Sequence, residues 1–268
     1  MTATLTAVIA IAFYLSGAIL QYFSLKGRLK SNRFQVLALG ITALVFHAIS
    51  IKDSLYSIAG WDLGFYGIAS LIGWTMAILV TLSGIRKPLQ NLFIGVYPLA
   101  AVALLVGLLM ASHDDISKSV QQWTPSIASH IFLSIFSYSV LSIAALQASL
   151  LALQDHHLRN HRTNGLIMQL PALQTMEQLL FELVWVGVIL LSASIATGIL
   201  FIEDMFAQHL VHKTVLSIIA WGIFTALLVG RHLLGWRGTT AIRWALGGYL
   251  LLMLAFFGSK LVLEIILA

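Results

Sequence analysis

Residues His209–Glu264 read HLVHKTVLSIIAWGIFTALLVGRHLLGWRGTTAIRWALGGYLLLMLAFFGSKLVLE. Two apolar spans, Val215–Gly230 and Ala245–Leu263, flank a short hinge carrying Arg231, His232 and Arg237 and ending at Gly238. About twenty apolar residues suffice for an α-helix to cross the hydrocarbon of a bilayer, and basic loops stay on the cytoplasmic side. The stretch therefore predicts a transmembrane helical hairpin with its turn in the cytoplasm. His212 and Lys213 enter the first span, and Lys260 and Glu264 close the second at the same outer face.

Composition extends that reading to the whole chain. Of 268 residues, 59% are hydrophobic and only 9% charged, and the mean hydropathy is +0.94. A soluble domain carries roughly a quarter of its residues as Asp, Glu, Lys and Arg, so lipid is the solvent this chain fits. The net charge of +5 sits in short loops between apolar spans and is no sign of nucleic-acid binding. The absence of cysteine excludes disulfides, iron–sulfur clusters and thiolate catalysis.

Eight apolar spans follow in order: Thr4–Leu25, Phe34–Ile51, Gly64–Gly84, Leu92–Ala111, Ser129–Leu153, Leu179–Ile202, Val215–Gly230 and Ala245–Ile266. The first lacks a basic n-region and a small-residue cleavage site, so it reads as a retained helix rather than a signal peptide. The chain thus predicts an all-α, polytopic membrane protein, a bundle of eight helices in one domain over residues 1–268. Lys26, Arg28, Lys30 and Arg33 follow the first span, Arg86 and Lys87 the third, Arg159 and Arg162 the fifth. The alternate loops are mixed or acidic, with Lys52, Asp53 and Asp62, then Asp114, Asp115 and Lys118, then Glu203, Asp204 and Lys213. Both termini are therefore expected on the outer, periplasmic side. In the connection Gln154–Gln178, the residues Leu166, Ile167, Leu170, Leu173 and Met176 predict a short helix lying on the membrane surface, with Pro171 near its start.

Ionisable residues within spans are expensive there and mark candidate sites. His47 lies in the outer third of span two, His130 opens span five, and His209 and His212 precede span seven, all toward the outer face. Imidazole is a natural axial ligand for haem iron, and helix bundles build cofactor sites from facing side chains. A histidine at a membrane boundary equally serves as a hydrogen-bonding group to headgroups, water or a carbonyl. Along span five, His130, Ser134, Ser137, Tyr138, Ser142, Ala145 and Ser149 recur at helical spacing on one side. That face reads either as a tight helix–helix seam or as the polar wall of a cofactor pocket with His130 at its mouth. Glu182 is expected to snorkel or to pair with a basic loop residue, and Lys260 to pair with Glu264 four residues on. His156, His157 and His161 read as solvated loop residues. No Gly-x-Ser-x-Gly, His-Glu-x-x-His, phosphate-binding glycine loop or intramembrane aspartate pair occurs, so no enzymatic chemistry is indicated.

Several runs carry a family resemblance. They are Met176-Glu177, Leu179-Leu180-Phe181-Glu182, Gly187, Thr197-Gly198, His212-Lys213, Trp221, Gly230-Arg231-His232 and Gly235-Trp236-Arg237-Gly238. Phe257-Gly258-Ser259-Lys260 and Ser70-Leu71-Ile72-Gly73-Trp74 add to them. Together they resemble the cytochrome c assembly (CcsA/CcmC-type) superfamily, and within it the YpjD branch, related to HemX, of bacterial inner-membrane proteins. The resemblance implies haem handling, with haem b as cofactor, at an outer-face site in a multi-pass inner-membrane protein. His130, followed by Ser137-Tyr138, matches an external haem-ligating histidine, which makes His130, His47, His212 and Tyr138 the candidate cofactor-binding set. The chain also departs from the superfamily pattern. Phe201–His209 replaces the tryptophan-rich haem-presenting segment, and Lys213 alone remains of a Trp-Asp-Pro-Lys-Glu motif. Val229 stands where a late intramembrane histidine is expected, and no counterpart of a second external histidine follows span eight. Two readings follow: a haem-associated, non-enzymatic membrane protein with a reduced site, or an interaction or regulatory subunit that has lost haem and acts through a membrane-protein partner. A transporter with a polar path along span five is a weaker third.

Overall fold

The computed structural model describes residues 2–29, 32–57, 60–61, 65–86, 90–110, 124–160, 170–201 and 211–258. Its helices are α1 (Thr2–Leu25), α2 (Arg33–Leu55), α3 (Phe65–Arg86), α4 (Gln90–Met110), α5 (Pro125–Arg159), α6 (Leu173–Phe201), α7 (Val211–Leu233) and α8 (Gly238–Met253). Helix α8 continues as a π-helical turn over Leu254–Gly258. Among the described residues, eight helices are long and apolar enough to cross a membrane. The remaining regular structure described is a two-residue antiparallel pair, β1 (Tyr56–Ser57) with β2 (Gly60–Trp61). Lys260 and Glu264 lie outside the described residues.

Two of the boundaries that differ from the hydropathy reading bear on the second half of the chain. Helix α5 runs for 35 residues, about 50 Å at 1.5 Å per residue, and so outlasts the ~30 Å hydrocarbon core. Its start is set by Thr124, whose hydroxyl accepts from the Ile127 amide at 3.4 Å, and by Pro125 in the first turn. Its far end passes the predicted Leu153 because polar side chains support the extra turns. Arg159 pairs with Asp155 at 3.1 Å, and the Asn160 amide closes onto the His156 carbonyl.

Helix α6 begins at Leu173, not at Leu179. Leu173 and Met176, expected on a surface helix, therefore belong to the first turn of a spanning one. Two buried glutamines of α5 hold this start: Gln147 donates to the Met176 carbonyl at 2.9 Å and Gln154 to the Pro171 carbonyl at 3.1 Å. Residues 161–169, which include Leu166 and Ile167, lie outside the described residues.

The chain forms two compact units, one containing α1–α4 and the other α5–α8. In the first, α1 packs on α2 and α4, and α3 packs on α2 and α4. Tyr97 of α4 is fully buried, stacks on Phe93 and donates to or accepts from the Thr81 hydroxyl at 3.1 Å. Room for its ring exists because α1 and α2 present Gly17 and Gly40 to it. A Cβ at Gly40 would overlap the Tyr97 hydroxyl. Ordinarily, Gly→Ala within a helix stabilises by up to about 1 kcal/mol. Here Gly40→Ala is expected to destabilise instead, by the ~1–3 kcal/mol typical of overpacking. Thermal midpoints in detergent check the sign, and adding Tyr97→Phe, which removes the overlapped oxygen, should recover part of the loss.

In the second unit, α5 packs against α6 and α8, and α7 against α6 and α8. Trp221 of α7 donates its indole N–H to the Ser192 hydroxyl of α6 at 2.8 Å. This contact fixes the register of two helices that run in opposite directions. Trp236 and Trp244 pack with ring centres 4.9 Å apart and planes tilted by 36°, and Trp185 is exposed on the apolar surface.

Candidate functional site

His130 sits in the second turn of α5, partly buried against the last third of α6. Its Nδ1 lies 2.8 Å from the Ser194 carbonyl oxygen. A carbonyl only accepts, so Nδ1 carries the proton and donates. In the neutral ring this leaves the lone pair on Nε2, and no described residue bonds to that nitrogen. The neighbours hold the arrangement. Ser134 donates to the His130 carbonyl at 2.8 Å and meets the Ser194 hydroxyl at 2.7 Å. Thr197 donates to the Ser194 carbonyl at 2.9 Å and its hydroxyl lies 3.4 Å from Nδ1. An imidazole whose second nitrogen is pinned to a backbone carbonyl is the usual form of a metal-ligating histidine.

Below His130 the polar face of α5 serves as a seam. Ser137 donates to the Gly187 carbonyl at 3.3 Å, beside which Leu141 fills the space a Cβ would take. Ser142 bonds the Tyr138 carbonyl at 2.7 Å and the Tyr249 hydroxyl at 2.8 Å. Ser149 donates to the Ala145 carbonyl of its own helix at 2.9 Å. Tyr138 is buried, and its phenol donates to the Leu252 carbonyl at 2.8 Å while its ring rests on Phe256 of the π turn. Its hydroxyl is thus spent on helix α8, at the place where α8 widens.

His212 is exposed in the first turn of α7. The antiparallel register set by Trp221 and Ser192 puts that turn beside the end of α6, at the same end of the unit as His130. His209 lies outside the described residues. His156 and His157 are near the other end of α5, where they bond Asn160 and the Leu153 carbonyl. Glu182 accepts from Gln178 at 3.0 Å. No group of three or more His, Cys, Asp or Glu capable of holding a metal ion occurs among the described residues.

His47 belongs to the first unit and is fully buried. Its Nδ1 meets the Tyr14 hydroxyl at 3.2 Å and its Nε2 the Ser70 hydroxyl at 3.0 Å, so one ring ties α2 to both α1 and α3. Either nitrogen would have to give up a bond before it could ligate anything.

A third polar cluster escaped the reading of single spans. Glu177, in the early turns of α6, is 3% exposed. Its Oε1 accepts from Arg231 at 2.8 Å and Arg237 at 3.1 Å, and its Oε2 from the Gly238 amide at 2.9 Å. A carboxylate from α6 thus caps the first amide of α8 and binds both arginines of the α7–α8 turn. The sequence signal was there: an acid two residues before an apolar span, with two arginines in one short hinge to answer it.

The family profile described as "Cytochrome C assembly protein" matches residues 3–267. Over 245 residues the chain is 31% identical to "Inner membrane protein YpjD" of Escherichia coli (strain K12), covering 90% of this chain and 92% of that protein. It is 26% identical to "Protein HemX" of Brevibacillus brevis over 134 residues, 49% of each chain. No solved structure matches.

Proposed function

Because this chain belongs to the cytochrome c assembly protein family, we propose that it is a multi-pass inner-membrane protein that holds haem at the outer end of its second unit without catalysing a reaction on it. The observation that carries this reading is the Nδ1–Ser194 carbonyl bond, which leaves Nε2 of His130 as a free lone pair at the mouth of an ordered seam. Nε2 of His130 would hold the haem iron, with His212 as the candidate for a second ligand. Haem b would supply an iron that takes axial imidazole and changes oxidation state. Ser134, Ser194 and Thr197 hold the ring's orientation. His47 and Tyr138, already bonded within helix packing, contribute to the scaffold on which the site stands. The charge alternation of the loops supports an orientation with both termini periplasmic and the α7–α8 turn cytoplasmic.

The test is the absorption spectrum of detergent-purified protein from haem-replete cells, reduced minus oxidised. A Soret band with sharp α and β bands is the expected result. A flat spectrum, unchanged by added haemin, would overturn the haem reading. It would favour an interaction subunit acting through a membrane-protein partner, the alternative that the altered Phe201–His209 segment supports.

A further inference from the structure

The turn between α7 and α8 carries two features that solvent does not explain. Leu233 and Leu234 are 74% and 70% exposed, adjacent in sequence at the tip of the hairpin. Beside them, Arg231 and Arg237 keep 34% and 57% of their side chains exposed while sharing one buried carboxylate, Glu177. Two guanidinium charges meet one carboxylate, so a positive charge is left over within this cluster. Each guanidinium has five N–H donors in a rigid fork. Arg231 uses Nη1 on Glu177 and on the Trp236 carbonyl, and Arg237 uses Nε on Glu177. The other donors have no partner among the described residues. Glu177, and for Arg231 also the Phe181 ring centred 4.6 Å from its guanidinium carbon, hold two forks that stay part-exposed and suit a phosphate oxygen.

We propose that this turn is a seat for an anionic phospholipid, with the leucine pair in the acyl layer and the two arginines on the headgroup phosphate. The charge of the cluster selects the occupant. A headgroup of net negative charge matches the leftover positive charge, whereas a choline headgroup brings a cation back against it. The leucines select a lipid over free phosphate, because exposed apolar side chains at a membrane boundary gain by entering the acyl region. The proposal requires only that the turn lie at a membrane surface, and it is independent of whether haem binds at the other end of the unit.

Native mass spectrometry of the full chain, released from micelles doped with phosphatidylglycerol or phosphatidylcholine, tests it. Phosphatidylglycerol should be retained at least fivefold more than phosphatidylcholine. The preference should fall to near unity in Arg237→Gln, and total retention should drop severalfold in Leu233→Ser/Leu234→Ser. The leucine variant disturbs no buried contact, so it keeps the test decisive if Arg237→Gln fails to fold. Equal retention of the two lipids overturns the proposal. So does displacement of phosphatidylglycerol by millimolar glycerol phosphate, which would make the site one for a free anion. Retention unchanged in the leucine variant, or a protein found seated on the turn in its place, also overturns it.

Discussion

Replacing Glu177 with alanine is expected to destabilise the second unit by about 3–5 kcal/mol, the cost of breaking a buried ion pair by removing one partner. The carboxylate is 3% exposed and accepts from Arg231, Arg237 and the Gly238 amide. Its loss leaves two guanidinium groups facing each other without an anion, and an orphaned amide at the start of α8. That amide lies at the positive end of the α8 dipole, where a carboxylate is favoured, and the N-cap residue Arg237 offers no side-chain oxygen in its place. For chains of this size, where each kcal/mol moves the midpoint by about 2–4 °C, the thermal midpoint in detergent should fall by roughly 10 °C. Glu177→Gln keeps the shape and one acceptor but not the charge, and should fall between wild type and alanine. Arg237→Ala should cost less than either, since Arg237 is more than half exposed and Arg231 still satisfies Oε1. A midpoint within about 2 °C of wild type for Glu177→Ala would sink the assignment. It would mean that the pair is screened by solvent as surface pairs are.

That cluster shows where reading the sequence stops. Hydropathy found the spans because crossing a bilayer imposes length and composition locally, one helix at a time. Their ends depended on partners elsewhere. Helix α5 overruns Leu153 because Asp155, Arg159 and Asn160 support the extra turns. Helix α6 starts early because Gln147 and Gln154 of α5 hold its start and Arg231 and Arg237 hold its Glu177. The polar face of α5 was legible from its spacing, and so was the choice it posed between seam and pocket wall. The partners that decide between the two, Ser194, Gly187, Leu252 and Tyr249, lie 50 to 114 residues away. His47 looked like an outer-face candidate because its position along α2 was legible. Tyr14 and Ser70, which occupy its nitrogens, become visible only once three helices are packed together.

His130→Asn should abolish the Soret band while leaving the fold intact, and this pairing of outcomes separates a ligand from a packing residue. Asparagine Nδ2 stands where histidine Nδ1 does, so it can donate to the Ser194 carbonyl as the imidazole does at 2.8 Å. It offers nothing in place of Nε2. If His130 only ties α5 to α6, the asparagine variant keeps the tie, the thermal midpoint stays within about 2 °C, and any haem signal persists. If Nε2 is the axial ligand, the midpoint without haem still holds but haem occupancy falls by more than the 10–100-fold seen when only the orienting partner of a ligand is lost. His130→Ala removes both functions and should lose the band and lower the midpoint. Thr197→Val removes the hydroxyl that shares the Ser194 carbonyl but leaves the Nδ1 contact in place. It should keep the band, with at most a small shift in reduction potential as one of the donors sharing that carbonyl is lost. The order wild type, Thr197→Val, then His130→Asn and His130→Ala near zero would be produced by a ligand and not by a packing residue. A full Soret band in His130→Asn would remove His130 from the coordination sphere and leave His212 as the residue to change next.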